Sequence, residues 1–426
     1  MNITCTQDEK TTFTWVEKEE TPIVTAFITV DTFTTGSLED VASAELYTDM
    51  IMSGAGAYSR TEFLDKINGL GASLAISTSE GTITFTIETL FPKLEKVLHL
   101  VKLMFLEPHF SDSELARAKV TLQNSLSVYK EQARAMAYDA FARSIYPSLH
   151  RTFAYTPEDV STILTTITTA HLKSFHRLVQ NQSWLITVGG NTKAMNQVKK
   201  LCSQIQLEMK EKVIGKAKPA TKISKNVLVT TTIPSQQNVE FSIGSSLRLT
   251  YSDKEMPALY FGLAVLGKWG GFAGRLMSTV REKEGLTYGI YARIESVSLH
   301  APGHWRIMTF FAPKDTKKGI TSTRREIDLI ISKGITDSEL RRFKDIIKTS
   351  HVLLFDSLVL LTQTIHQNQV RGLNYEKFTE FHSELQLLTK REVNLALAKY
   401  LRPNELVFSA AGPVKDILPD LREATR

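Results

Sequence analysis

Short stretches of the first half of this 426-residue chain return in its second half, in the same order. Residues 111–119 read SDSELARAK and residues 336–344 read TDSELRRFK, each with a Ser or Thr three residues before a Glu: Ser111 with Glu114, Thr336 with Glu339. That pattern marks a capped helix start, because hydroxyl and carboxylate each satisfy a backbone N–H that the first turn leaves unbonded. Upstream, LFPK (90–93) answers FAPK (311–314); downstream, WLITVGG (184–190) answers LVFSAAG (406–412). All three matches keep nearly the same offset. A chain written as two copies of one pattern folds as two related domains.

Between the copies lies MKEKVIGKAKPATKISKN, with Gly215, Pro219 and no apolar period. Six lysines (Lys210, Lys212, Lys216, Lys218, Lys222 and Lys225) stand there against Glu211, so this stretch carries most of the net charge of +6. A local charge run of this composition reads as a solvated linker rather than a nucleic-acid surface. The expected division is an N-terminal domain at 1–208, a linker at 209–226 and a C-terminal domain at 227–426. Within each half, strand and helix patterns follow one another in blocks. TITFTIE (82–88) puts Ile83, Phe85 and Ile87 on one face after a Ser79-Glu80-Gly81 turn, and Val239, Phe241 and Ile243 alternate in the same way. Helical periods follow at Leu94, Val97, Leu98, Val101 and Phe105, and at Ile327, Leu329, Ile330 and Ile331. The fold class expected is α+β: two homologous domains, each a mostly antiparallel sheet with helices packed on one face.

No run reaches the roughly 18 apolar residues of a membrane span, and the N-terminus MNITCTQDEK is polar. A cytoplasmic, membrane-free protein is expected, or a periplasmic one if the methionine replaces a trimmed leader. Cys5 and Cys202 are too isolated for a disulfide framework or a thiolate metal site.

A helix is expected from the Ser37 cap towards a stop at Gly54. On it Glu45, Thr48 and Asp49, at i, i+3 and i+4, share a face. Downstream runs GAGAYSRTEFLDKINGLGASLAIS (54–77), and this segment resembles the one that follows the inverted zinc motif HxxEH in pitrilysin, insulin-degrading enzyme and mitochondrial processing peptidase. In that family two histidines one helical turn apart bind zinc and the glutamate between them activates water. Aligned on Gly54, the resemblance puts the histidines at Glu45 and Asp49 and the glutamate at Thr48. It puts the remaining zinc ligand at Asn124, on the helix after the first capping box. None of the four is the family's residue, so no metal is expected in this chain. Glu45, Asp49 and Asn124 could suit a hard cation, but a solvated polar patch is the simpler reading. All ten histidines read as surface or satisfied core residues, with His300 and His304 in a loop around Pro302 and Gly303.

The second half carries GKWGGFAGRLMSTVREKEGLTYGIYARIE (267–295), which resembles the C-terminal signature of the same family. It contains a glycine-rich loop with Gly270 and Gly271, an "RL" helix, then Arg281 and Tyr288 around a "GL" turn. In the family that pair binds the scissile carbonyl, and a guanidinium and a phenol are fitting donors for a developing oxyanion. Without the resemblance, Arg281 reads as a helix-surface ion pair and Tyr288 as a strand residue.

The resemblance implies a non-catalytic subunit of a heterodimeric zinc endopeptidase. A homologous HxxEH-bearing partner would hold the zinc, this chain would contribute Arg281 and Tyr288, and the substrate would be a peptide. A peptidase-like structural scaffold and an independent hydrolase using another metal are the competing readings.

Overall fold

The computed structural model describes residues 2–7, 11–205, 220–221, 223–267 and 274–426. The first half runs β1 (Asn2–Gln7), β2 (Thr11–Glu17), β3 (Ile23–Asp31), α1 (Leu38–Met50), β4 (Gly54–Ala55), β5 (Tyr58–Ser59), α2 (Arg60–Gly69), β6 (Ser73–Ser79), β7 (Thr82–Leu90), α3 (Leu94–Leu106), α4 (Asp112–Tyr129), α5 (Ala133–Ile145), α6 (Pro157–Ile163), α7 (Thr169–Asn181), β8 (Trp184–Gly190) and α8 (Thr192–Ile205). The second runs β9 (Val227–Thr232), β10 (Val239–Ser246), α9 (Met256–Gly267), a π-helical turn (Met277–Lys283), β11 (Ile290–Glu295), β12 (His304–Phe311), α10 (Thr316–Lys333), α11 (Asp337–Leu354), α12 (Leu358–Val370), α13 (Tyr375–Leu387), α14 (Lys390–Tyr400), β13 (Val407–Gly412) and α15 (Leu418–Ala424). The duplication is visible in this order. In both halves a hairpin passes through a 3-10 turn, at Phe91–Lys93 and at Pro313–Asp315, into a helix and then into an 18-residue helix. Those two long helices each begin one residue after the hydroxyl of the repeated motif.

Two compact units form. One comprises Met1–Leu126, Pro157–Ala217 and Val352–Val370; the other comprises Ser127–Thr156, Lys218–His351 and Arg371–Arg426. The first unit has a six-stranded sheet in the order β1-β2-β8-β3-β7-β6, antiparallel except where β2 meets β8. The second has a five-stranded sheet, β11-β12-β10-β13-β9, antiparallel except where β13 meets β9. The fold is therefore α+β in two related units, as the repeat implies.

Local chemistry explains the elements. The β6–β7 hairpin turns on Glu80 and Gly81, both at positive φ (48° and 76°), the backbone of a tight turn matching strand twist. Ile83, Phe85 and Ile87 are buried beneath it, as the alternation requires, and α3 buries Leu94, Val97, Leu98, Val101 and Phe105. On α10, Ile320, Thr323, Ile327 and Ile330 form the buried stripe, with Leu329 and Ile331 at its margin. The main helical layer of each sheet covers one face, and a single helix lies on the other face. In the first unit that helix is α12, which packs on β8 and β3. A Cβ at Gly189 would collide with Thr362 and Leu358, so glycine permits the approach. Its docking is polar: His366 bonds Thr29 at 2.7 Å and Thr187 at 2.9 Å, and Gln369 accepts from Thr187 at 2.9 Å. In the second unit α5 takes this place on β10 and β13 with small residues, Ala133, Ala137 and Ala140. Each unit is thus completed by one helix from the other half of the sequence.

Of the linker expected at 209–226, residues 209–219 and 222 lie outside the described residues. Past them, Ile223 packs with Phe141 and Tyr146, and the Thr221 N–H donates to the Ile145 carbonyl at 2.7 Å. Among the described residues no helix is long and apolar enough to cross a membrane.

Candidate functional site

The Ser37 hydroxyl caps α1 by accepting from the Asp40 N–H, and the Asp40 carboxylate turns back to Thr34 and Thr35. The helix ends at Met50, before the expected stop; Gly54 instead opens the short β4–β5 ladder at φ +125°. A Cβ there would meet His109 Nδ1 at 2.7 Å and the Tyr58 carbonyl at 2.8 Å. One face of α1, with Ala42, Leu46, Tyr47 and Met50, is buried, and Tyr47 is pinned by a 2.8 Å hydrogen bond to His176. Glu45, Thr48 and Asp49 are half-buried on the adjoining face.

Each of the three has its hydrogen bonds within the fold. Glu45 accepts from Thr78 at 2.7 Å, and the Thr48 hydroxyl donates to the Glu45 carbonyl at 2.8 Å. Asp49 is held by two arginines. Arg60, the first residue of α2 behind the Ser59–Glu62 capping box, donates to Asp49 Oδ1 at 2.7 Å. Arg117 of α4 donates to Oδ2 and, through Nε, to Glu114 at 2.8 Å. Arg60 also lies 3.6 Å from Glu114. Burial alone would lower the Arg117 pKa, but hydrogen bonds and charge from Glu114 and Asp49 raise it above its ordinary value. The result is a neutral square of two carboxylates and two guanidiniums. Asn124 lies exposed on α4, seven residues beyond Arg117. Two turns of helix, roughly 10 Å, separate those positions.

These residues do not fit zinc. A zinc site needs imidazole, thiolate or carboxylate donors with free lone pairs, and here the Asp49 oxygens face guanidinium cations. Among the described residues no three His, Cys, Asp or Glu side chains gather into a metal-holding group. His304 is not in a loop with His300: Gly303, whose Cβ would strike β11 backbone, ends the loop, and His304 begins β12, buried and bonded to Tyr146 at 2.8 Å. The signal for Arg60 was available in S-R-T-E, which places an arginine at a capped helix start. The signal for Arg117 was its position three residues after Glu114.

In the second unit, Gly270 and Gly271 lie outside the described residues. Gly274 packs against the end of α9, where a Cβ would come within 2.7 Å of Gly267. Arg275 then fastens the following turn, donating to both Glu339 oxygens at 2.6 and 2.7 Å and to the Gly334 carbonyl at 2.8 Å. Glu339 also completes the Thr336 capping box. Residues Met277–Lys283 wind as a π-helix, with Met277 and Val280 buried, a wide turn common at functional sites. Gly285, at φ +65°, stops it, its N–H bonded to the Arg281 carbonyl at 3.0 Å. Arg281 is half-buried within this turn and Tyr288 is 83% exposed after it. Glu284, between them, is committed to Ser322 and Arg325.

Both halves of the chain are similar to known proteins. Residues 14–153 match the family model "Insulinase (Peptidase family M16)", and residues 166–347 match "Peptidase M16 inactive domain". The non-peptidase homolog YmxG of Helicobacter pylori is 22% identical over 385 residues, covering 88% of this chain and 86% of that protein. The crystal structure of a peptidase M16 inactive domain from Pseudomonas fluorescens superposes with a TM-score of 0.85 at 21% identity, covering 97% of this chain and 98% of that one. That of a protease from Helicobacter pylori gives 0.82 at 14% identity, covering 96% and 99%.

Proposed function

This chain belongs to the M16 (insulinase) peptidase family as a member without the zinc motif, and from that premise we propose that it completes a partner's active site instead of forming one. The partner is a homologous chain carrying HxxEH and its zinc. Arg281 and Tyr288 of this chain bind the scissile carbonyl of a peptide there and stabilise its developing negative charge. The observation that carries the reading is a contrast in commitment. Asp49, at a zinc-ligand position, is spent on Arg60 and Arg117, whereas the Tyr288 phenol stands in solvent beyond a turn fixed by Arg275 and Gly285. A tyrosine left that exposed gains nothing for its own core.

The test is hydrolysis of a quenched fluorescent peptide library by an HxxEH-bearing M16 chain encoded beside this one, with and without this chain. Cleavage by the mixture alone is the expected result. Equal cleavage by the neighbour alone would replace this reading with that of a structural scaffold.

A further inference from the structure

The five-stranded sheet ends in β11 on one side and in β9 on the other. Where β9 begins, an open cavity of about 610 Å³ lies in the surface, and carbonyl binding at Arg281 and Tyr288 does not involve it. Part of its wall is fixed by hydrogen bonds. Asn226 accepts from the Leu406 N–H at 3.0 Å and donates to the Thr425 and Arg426 carbonyls at 3.1 and 3.4 Å. One side chain thus ties the strand to the segment before β13 and to the end of α15. Thr425 is buried, its hydroxyl donating to the Leu421 carbonyl at 2.8 Å. Carbonyls at a helix end repel an anion, and these are covered: Asn226 takes two, and Arg324 donates to that of Ala424 at 2.8 Å.

The rest of the wall carries charge of one sign. Lys225, Arg422 and Arg426 line the cavity, and no Asp or Glu side chain does. Among the described residues none of the three cations is in an ion pair, because the acids nearest in sequence are held elsewhere. Lys317 lies 3.7 Å from Asp420 and 2.8 Å from Glu423, and Arg402 lies 3.0 Å from Glu405. Lys317 lowers the Glu423 pKa, with a smaller part from Arg426. Even with the main-chain oxygens of Arg426 set against one cation, two remain in surplus. Beside them Ser224 and Asn404 are exposed, and their side chains make no hydrogen bond among the described residues. Leu228 is the one aliphatic residue of the lining.

We propose that this cavity binds the phosphate monoester of a small polyol. A dianionic phosphate matches two or three cations, and a guanidinium presents its donors as a fork to phosphate oxygens. The Ser224 hydroxyl and the Asn404 amide both donate and accept, as sugar hydroxyls require. A single aliphatic residue gives a nucleobase or an acyl chain no apolar surface to rest on, whereas the volume is within the roughly 300–1,000 Å³ of small-ligand sites. The proposal is independent of the peptide reading, since no residue is shared.

The experiment is calorimetric titration of the full chain at about 0.15 M salt, where weak surface attraction is screened. The ligands are glycerol phosphate, ribose phosphate and glucose phosphate, set against inorganic phosphate, citrate and glucose. At least one ester should bind about tenfold tighter than inorganic phosphate, as added hydrogen bonds provide, and glucose should not bind. Lys225→Gln and Arg422→Gln should each weaken that ester about tenfold, the scale of a charge-assisted hydrogen bond. Lys254→Gln removes an equal charge outside the cavity and should change nothing. All three variants should melt as the parent does. Asn404→Ala should weaken the ester and leave inorganic phosphate unaffected. Inorganic phosphate binding as tightly as every ester, or Lys254→Gln weakening the ester as much as Arg422→Gln, would mean an adventitious ion only and overturn the proposal. Citrate binding tighter than every ester would assign the cavity to carboxylates and overturn it, as would the absence of binding by any ester.

Discussion

The two copies of the repeat use the same arginines to different ends. In each, an arginine at the start of the helical segment before the hairpin reaches the glutamate of the SEL motif: Arg60 lies 3.6 Å from Glu114, and Arg275 is 2.6 Å from Glu339. The next arginine of the motif separates them. Arg117 is drawn in by Asp49, whereas Arg342, at the same place in the second copy, is exposed and in no ion pair among the described residues. One acid at the end of α1 therefore closes the first copy on itself. Among the described residues of the second copy no acid draws Arg342 in, and Tyr288 remains in solvent. Polar groups that satisfy one another stabilise a fold, and those left exposed are available for something else.

Removing the guanidinium beside the exposed Tyr288 sharpens the contrast most. Arg281→Ala should lower the activity of the assembled peptidase about 100-fold in kcat, the scale of losing one oxyanion donor, with no change in the thermal midpoint of this chain. A loss of stability in place of activity would make Arg281 a structural residue and erase the distinction between the copies. Removing the committed group should do the reverse. Asp49→Ala leaves Arg60 and Arg117 facing only Glu114 and should destabilise the chain by about 2 kcal/mol. Adding Arg117→Ala should then cost less than it does in the parent, because the two residues share one interaction. Urea unfolding of the two single variants and the double variant measures this. Strict additivity would mean that the square of charges is not acting as a unit.

The square also shows where sequence reading stops. The repeat, the caps at Ser37 and Thr336, the β6–β7 hairpin and the α3 core face were legible because each is set by residues a few positions apart. Arg60 and Arg117 reach Asp49 from 11 and 68 positions away, and no local pattern specifies such pairs. The exchange of α5 and α12 was hidden likewise: periodicity shows which face of a helix is buried, not which sheet it is buried against. Pro302 and Gly303 signal a loop through His304, yet they mark the loop's end, and His304 begins β12.

The exchanged helices extend the comparison to pH. His366, on α12, is buried between two threonines, and burial pushes its pKa down to about 3. An unfolded chain binds this proton below about 6.5, while the folded chain resists it until about pH 3. The unfolded state therefore holds more protons in that window, and stability falls as pH drops through it. His366→Gln should keep polar groups against Thr29 and Thr187 yet remove up to one proton from the dependence, about 1.4 kcal/mol per pH unit. Denaturant midpoints at pH 6 and pH 4 give the slope. An unchanged slope would shift the acid sensitivity to other buried histidines such as His176, whose pKa burial also lowers.

The smallest effect should come from Gly285, and it tests whether the second copy's turn matters as geometry alone. Gly285 sits at φ +65°, and a Cβ added there would meet nothing within 4 Å. Alanine would therefore meet only the backbone penalty of the left-handed region, about 1 kcal/mol, and asparagine, which tolerates that region, should recover part of it. If the turn serves only to aim Arg281 and Tyr288, the assembled activity should track this backbone series, with glycine above asparagine and asparagine above alanine. Should alanine lower stability with no loss of activity, the turn would belong with the committed charges of the first copy, and the availability of Tyr288 would not depend on it.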